Sequence, residues 1–135
     1  MDAPCPAATF TVLGLPAPKG SRTVGRRADG RVFTRPASKR EHPWIEAVAR
    51  AASEHDPLPP PYGVALSFCM PRPARPAHPY PTRGDIDKLV RAVLDGLTRG
   101  GLIVDDAHVT SLDAHKYWVD PGLEGVTVTV AGDGR

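Results

Sequence analysis

From Val64 to Met70 the chain alternates: Val64, Leu66, Phe68 and Met70 are apolar, and the residues between them are small or polar. Period two marks a half-buried strand, because successive side chains point to opposite faces of a sheet. Ala8 to Leu15 (ATFTVLGL) is rich in β-branched and aromatic residues and ends at Gly-x-Pro, which predicts a strand leaving the sheet at Pro16. RVFT at Arg31 to Thr34 predicts a short strand, His108 to Val119 a longer one, and VTVTV at Val126 to Val130 a last one. Pro121-Gly122 between the final two predicts a turn, and with it an antiparallel hairpin.

Elsewhere the apolar positions recur at helical spacing. Trp44, Ile45, Val48 and Ala52 share a face, behind a start at Ser38 or Glu41 with Pro43 in the first turn. The four prolines of DPLPPPY stop this helix near His55. Leu89, Val90, Val93, Leu94 and Leu97 form a second helix, ended by Gly100-Gly101 and followed by the short apolar run Leu102 to Val104. PRPARPAHPYP reads as a stiff, extended connector between strand and helix. The order β-(β)-α-β-α-β-β predicts an α/β (α+β) fold: a small mixed sheet with two main helices packed on it. Residues 1–135 are expected to form a single domain with its core at about 8–130, without internal repeats or a splitting linker.

Length supports this, since 135 residues is one domain's worth and buries roughly two-thirds of its unfolded surface. Sixteen prolines and 13 glycines add irregular loops around the core. Cys5 and Cys69 are far apart and lack zinc or disulfide spacing, so both are expected to be reduced thiols. No signal-peptide pattern and no apolar run of membrane length occurs, which predicts a soluble, cytoplasmic protein.

Net charge is only +2, but it is unevenly spread. Lys19, Arg22, Arg26, Arg27, Arg31, Arg35, Lys39 and Arg40 face one acid, Asp29, whereas acids gather between Asp85 and Asp113. The basic block suits a phosphate backbone, or equally a solvated arginine-rich loop. Asp85 and Asp87, two residues apart, point the same way if the chain entering the helix is extended. Asp87, Arg91 and Asp95 follow at i, i+4 and i+8 along a polar stripe, and Asp105-Asp106 lie past the helix, where the chain has room to double back. Crowded carboxylates repel, and a hard cation such as Mg²⁺ or Mn²⁺ resolves that conflict. The plainer alternative is that Asp87 caps the helix and Asp105-Asp106 form an exposed turn. EF-hand spacing is absent.

DIDKLVRAVLDGL, a glycine-bearing gap and LIVDDAHV resemble the core motif of the RusA family of Holliday junction resolvases, and PAPKGSR is similar to that family's P-x-x-K-G-R. The resemblance runs over residues 8–130, most strongly from Asp85 to Val109. It implies a Mg²⁺-dependent endodeoxyribonuclease, with Mn²⁺ able to substitute, that acts as a homodimer on four-way DNA junctions by paired symmetric nicks in recombination and repair. It implies neither a small-molecule cofactor nor a membrane partner. By position, Asp85 and Asp87 match the first two catalytic aspartates, and Asp106, or Asp105 in the alternative register, matches the third; all four are the expected metal ligands. The family's Asn after the second aspartate is Lys88 here, and its Lys is Arg91, which keeps the charge but is a poor proton donor. Arg91 is then expected to stabilise the transition-state phosphate, while Lys19, Arg22, Arg26, Arg27, Lys39, Arg40 and Lys88 hold phosphate backbones. A nuclease of flaps or forks and a non-catalytic DNA-binding relative are the alternatives. His108 and His115 are read as ordinary surface or sheet residues, Trp44 and Trp118 as core or dimer-interface residues, and Lys116 equally as a DNA contact or an exposed strand residue.

Overall fold

The computed structural model describes residues 6–20, 22–26, 28–36 and 39–132. Nine elements follow one another: β1 (Ala7–Leu13), β2 (Arg22–Arg26), β3 (Val32–Pro36), α1 (Glu41–Ala52), β4 (Tyr62–Pro71), α2 (Ile86–Arg99), a 3-10 turn (Asp106–His108), β5 (Val109–Val119) and β6 (Gly125–Gly132). Four strands make a mixed sheet in the order β1-β6-β4-β5, so the α+β arrangement with two helices is present.

β4 is the central strand. It pairs antiparallel with β6 and parallel with β5. Parallel neighbours need a long crossover, and α2 supplies it. The predicted alternation along β4 is realised: Val64, Leu66, Phe68 and Met70 are buried, as is Tyr62 ahead of them. They meet Val126, Val128 and Val130 of β6, Leu89, Val93 and Leu97 of α2, and Trp44, Ile45 and Val48 of α1 in one cluster. On the opposite face, hydroxyl pairs Thr9–Thr129 and Thr11–Thr127 bridge β1 and β6 at 3.2 Å each.

The final hairpin is corrected. The turn exists, with Gly122 at φ 102° and the Leu123 amide bonded to the Asp120 carbonyl at 3.1 Å. Yet β5 and β6 are not neighbours, because β6 lies between β1 and β4. Val126, Val128 and Val130 are fully buried in the core and suit an inner strand, whereas β5 carries Asp113, His115 and Lys116 and suits an edge. A second difference lies in the basic block: β2 and β3 form an antiparallel two-stranded ribbon around Asp29-Gly30, with Gly30 at φ 89°. Asp-Gly between β-branched segments is a hairpin signal, and one strand was predicted where two form.

Both helices sit close to prediction. Helix α1 buries Trp44, Ile45, Val48, Ala49 and Ala52. Its predicted start at Ser38 lies outside the described residues; the helix begins at Glu41. Helix α2 ends where Gly101 takes φ 80° and the Leu102 amide bonds the Leu97 carbonyl. No helix among the described residues is long and apolar enough to cross a membrane. Cys69 is a free, half-buried thiol, and Cys5 lies outside the described residues.

Candidate active site

Helix α2 organises the acidic residues, but differently from an extended i, i+2 pair. Asp85 is the extended N-cap residue (ψ 132°), while Asp87 already lies in the first helical turn. Asp85 makes no side-chain capping bond. Both are exposed at the positive end of the helix dipole, and the Lys88 ammonium stands 3.6 Å from Asp85. Lys116, reaching from β5, donates to the Gly84 carbonyl at 2.9 Å and so fixes the backbone just ahead of Asp85.

Capping occurs instead at the other end. Asp105 is the N-cap of the 3-10 turn, its Oδ1 accepting from the Ala107 amide at 3.1 Å. That bond, together with the side-chain hydrogen bond from Asp106, holds the Asp105 carboxyl below its ordinary range. Asp106 moves the opposite way: the hydrogen bond to Asp105, some burial and the neighbouring charge push its pKa up. One proton is thus favoured between two carboxylates, on Asp106. His108 favours the ionised form of Asp105, while His115 pairs with Asp113 at 2.8 Å.

Lys19 ties these groups together. Its backbone amide bonds the Lys88 carbonyl at 3.0 Å, its ammonium bonds the Asp95 carboxylate, and its charge favours ionisation of Asp106. Gly20, at φ 106°, follows because the Arg91 guanidinium lies where a Cβ would stand, 2.8 Å from that position. Lys19, expected on DNA phosphates, is therefore engaged within the protein. Lys39 and Arg40 are exposed, with Arg40 donating to the Pro16 carbonyl at 3.2 Å. Arg22 and Arg26 belong to β2, whose side chains are outside the description, and Arg27 lies outside the described residues.

Asp85 and Asp87 stand at the start of α2, and Asp105 and Asp106 stand in the 3-10 turn that follows the helix. Among the described residues, no three His, Cys, Asp or Glu stand together as a metal cage. Mg²⁺ needs fewer, since it keeps several waters and takes one or two carboxylates plus substrate phosphate oxygens. Asp105 and Asp106 fit that demand: they are adjacent hard-oxygen donors, and the neighbouring Asp105 pushes the Asp106 pKa up.

One positioning residue escaped the sequence reading. Tyr62 is 1% exposed, and its hydroxyl donates to the Leu58 carbonyl (2.9 Å) while accepting from the Val104 amide (3.1 Å). It anchors the segment that presents Asp105. The signal was available, because a tyrosine on the inward face of β4 must find a partner for its hydroxyl.

A small helix-on-sheet domain with exposed hard oxygen donors and basic residues on the chain before them suits the class of enzymes that cut phosphodiesters. The chain belongs to the endodeoxyribonuclease RusA family, whose family model matches residues 14–131. It is therefore a nuclease, from a family that acts on branched DNA junctions and is generally divalent-metal dependent. Comparison with curated proteins gives no match.

Proposed function

We propose that this protein is a Mg²⁺-dependent endonuclease that, as a homodimer of one domain per chain, resolves four-way DNA junctions by paired symmetric nicks. What supports the metal reading is the pair of adjacent carboxylates Asp105 and Asp106, whose mutual repulsion a cation would relieve. Asp105 and Asp106 hold the ion, and Asp85 and Asp87 contribute the second acidic group at the start of α2. Bound there, Mg²⁺ supplies Lewis acidity toward the scissile phosphodiester and acidifies water for attack.

The chain's own residues do the rest. Arg91, exposed on α2 near Gly20, places a permanent charge against the phosphate as negative charge builds in the transition state. A guanidinium is a poor proton donor, so leaving-group protonation falls to water. Lys19 holds Asp95 on α2, and its charge favours ionisation of Asp106. Lys39, Arg40, Lys88 and the ribbon arginines Arg22 and Arg26, with Arg27, track phosphate backbones without reading sequence. A two-fold dimer places two such sites symmetrically on the junction, as paired nicks require.

The test is incubation of purified protein with an end-labelled four-way junction, beside a flap, a fork and linear duplex of matched sequence, with and without Mg²⁺. Paired symmetric nicks in the junction alone, dependent on metal, support the proposal. Cutting confined to flaps or forks replaces the substrate, and binding without cutting under Mg²⁺ and Mn²⁺ makes the chain a non-catalytic relative.

A further inference from the structure

A cavity of about 610 Å³ lies beside the start of α2, apart from the carboxylates. Its size falls in the roughly 300–1,000 Å³ range of small-molecule sites. Met70 and Trp118 contribute to it from the C-terminal ends of the parallel neighbours β4 and β5, where they are register partners. Ligands favour the crevice outside the carboxyl ends of parallel strands. Pro16 and Pro18 line it from one loop, and the proline-rich connector after β4 lines it from another.

Its chemistry is one-sided. Among the described residues the lining holds Arg40, Arg75, Arg83 and His78 and no carboxylate. Tyr80, 57% exposed, stacks on His78 with ring centroids 5.5 Å apart and planes at 20°. Trp118 carries Arg72 over its ring at 5.7 Å. The exposed Tyr80 ring and the half-buried Trp118 inside a cationic rim complement a ligand that is flat and apolar at one end and anionic at the other. Gly84, also in the lining, directly precedes Asp85, so a DNA strand passing the acidic residues passes this opening.

We propose that the cavity receives one unstacked nucleotide of the branched DNA, its base against Tyr80 and Trp118 and its phosphate on Arg75 and Arg83. The inference rests on the nuclease reading and extends it: the site selects strands whose bases are free to leave the stack, as they are near a branch point. Unstacking is cheapest where pairing is already broken.

The test is equilibrium binding of the full-length protein, in EDTA, to four-way junctions carrying a single abasic site stepped through the positions flanking the branch. At one position the abasic site costs wild type roughly five- to 150-fold in affinity, the scale of one base–aromatic stack. Tyr80→Ala loses a similar factor on intact DNA, Tyr80→Phe does not, and the abasic site costs Tyr80→Ala nothing further at that position. Unchanged melting of Tyr80→Ala shows that the fold is intact, as the ring's exposure leads one to expect. Wild-type affinity in Tyr80→Ala, or losses that multiply at every position, overturns the pocket while leaving the nuclease proposal standing. A wild-type protein that neither binds nor cuts branched DNA overturns both.

Discussion

Asp105 and Asp106 are adjacent in sequence yet carry their protons in opposite senses, because one oxygen of Asp105 is committed to the Ala107 amide and the Asp106 carboxyl shares a hydrogen bond with Asp105. The sign for stability follows by linkage. Asp106, raised in the folded state, adds stability that is fully present below its unfolded pKa and is lost as pH rises through the raised value. Asp105, lowered, adds stability present above its unfolded pKa and lost as pH falls through the lowered value. In Asp105→Asn the amide oxygen still caps the turn while the neighbouring charge disappears, so the Asp106 carboxyl titrates at lower pH than in wild type, followed by carboxyl carbon NMR. An unmoved titration would show that burial, not Asp105, raises it. At the start of α2, Asp87→Asn is expected to abolish junction cutting, by at least about 100-fold, while preserving or tightening DNA binding; an intact cutting rate removes Asp87 from the site. The four aspartates were legible as a group from spacing alone. Which of them caps a turn was not, since that depends on whether a backbone amide or open solvent faces each carboxylate.

Packing between α1 and α2 depends on what two glycines lack. A Cβ on Gly96 would stand 2.6 Å from Val48 Cβ and Cγ1, and one on Gly100 would stand 2.4 Å from the Ala49 carbonyl oxygen. Gly96→Ala should therefore destabilise the fold by about 1–3 kcal/mol in urea unfolding, the scale of core overpacking. Val48→Ala in the same chain should return part of that loss; no recovery would locate the cost elsewhere. Tyr62→Phe leaves the Leu58 carbonyl and the Val104 amide without their partner and should cost about 1–3 kcal/mol. Junction cutting should fall with it at temperatures where the variant remains folded, because the Asp105 segment loses its anchor. Cutting equal to wild type would confine Tyr62 to stability. The helices and the central strand were readable from period and punctuation, whereas the need for glycine at Gly96 follows from Val48 on the other helix, which the spacing within α2 does not show.

Over the whole molecule, the candidate aspartates lie at the start of α2 and in the 3-10 turn after it, and most of the basic positions lie before that helix. Affinity for branched DNA should fall linearly with the logarithm of salt concentration, with a slope of roughly −0.9 per phosphate neutralised. Lys39→Ala, at an exposed position, should reduce that slope by about one unit without changing junction preference. A slope unaffected by this change would place the DNA path elsewhere. By itself the sequence determined the local periods, the helix stops, the strand-and-helix order, and a motif specific enough to carry family and chemistry, because all of these depend on neighbours within about one turn or strand. Only tertiary structure decided that β6 lies between β1 and β4, that Lys19 engages Asp95, and that Tyr62 anchors the segment ahead of Asp105. Those outcomes depend on which strand finds partners on both edges and on the reach of single side chains between distant parts of the chain, none of which is written in adjacent residues.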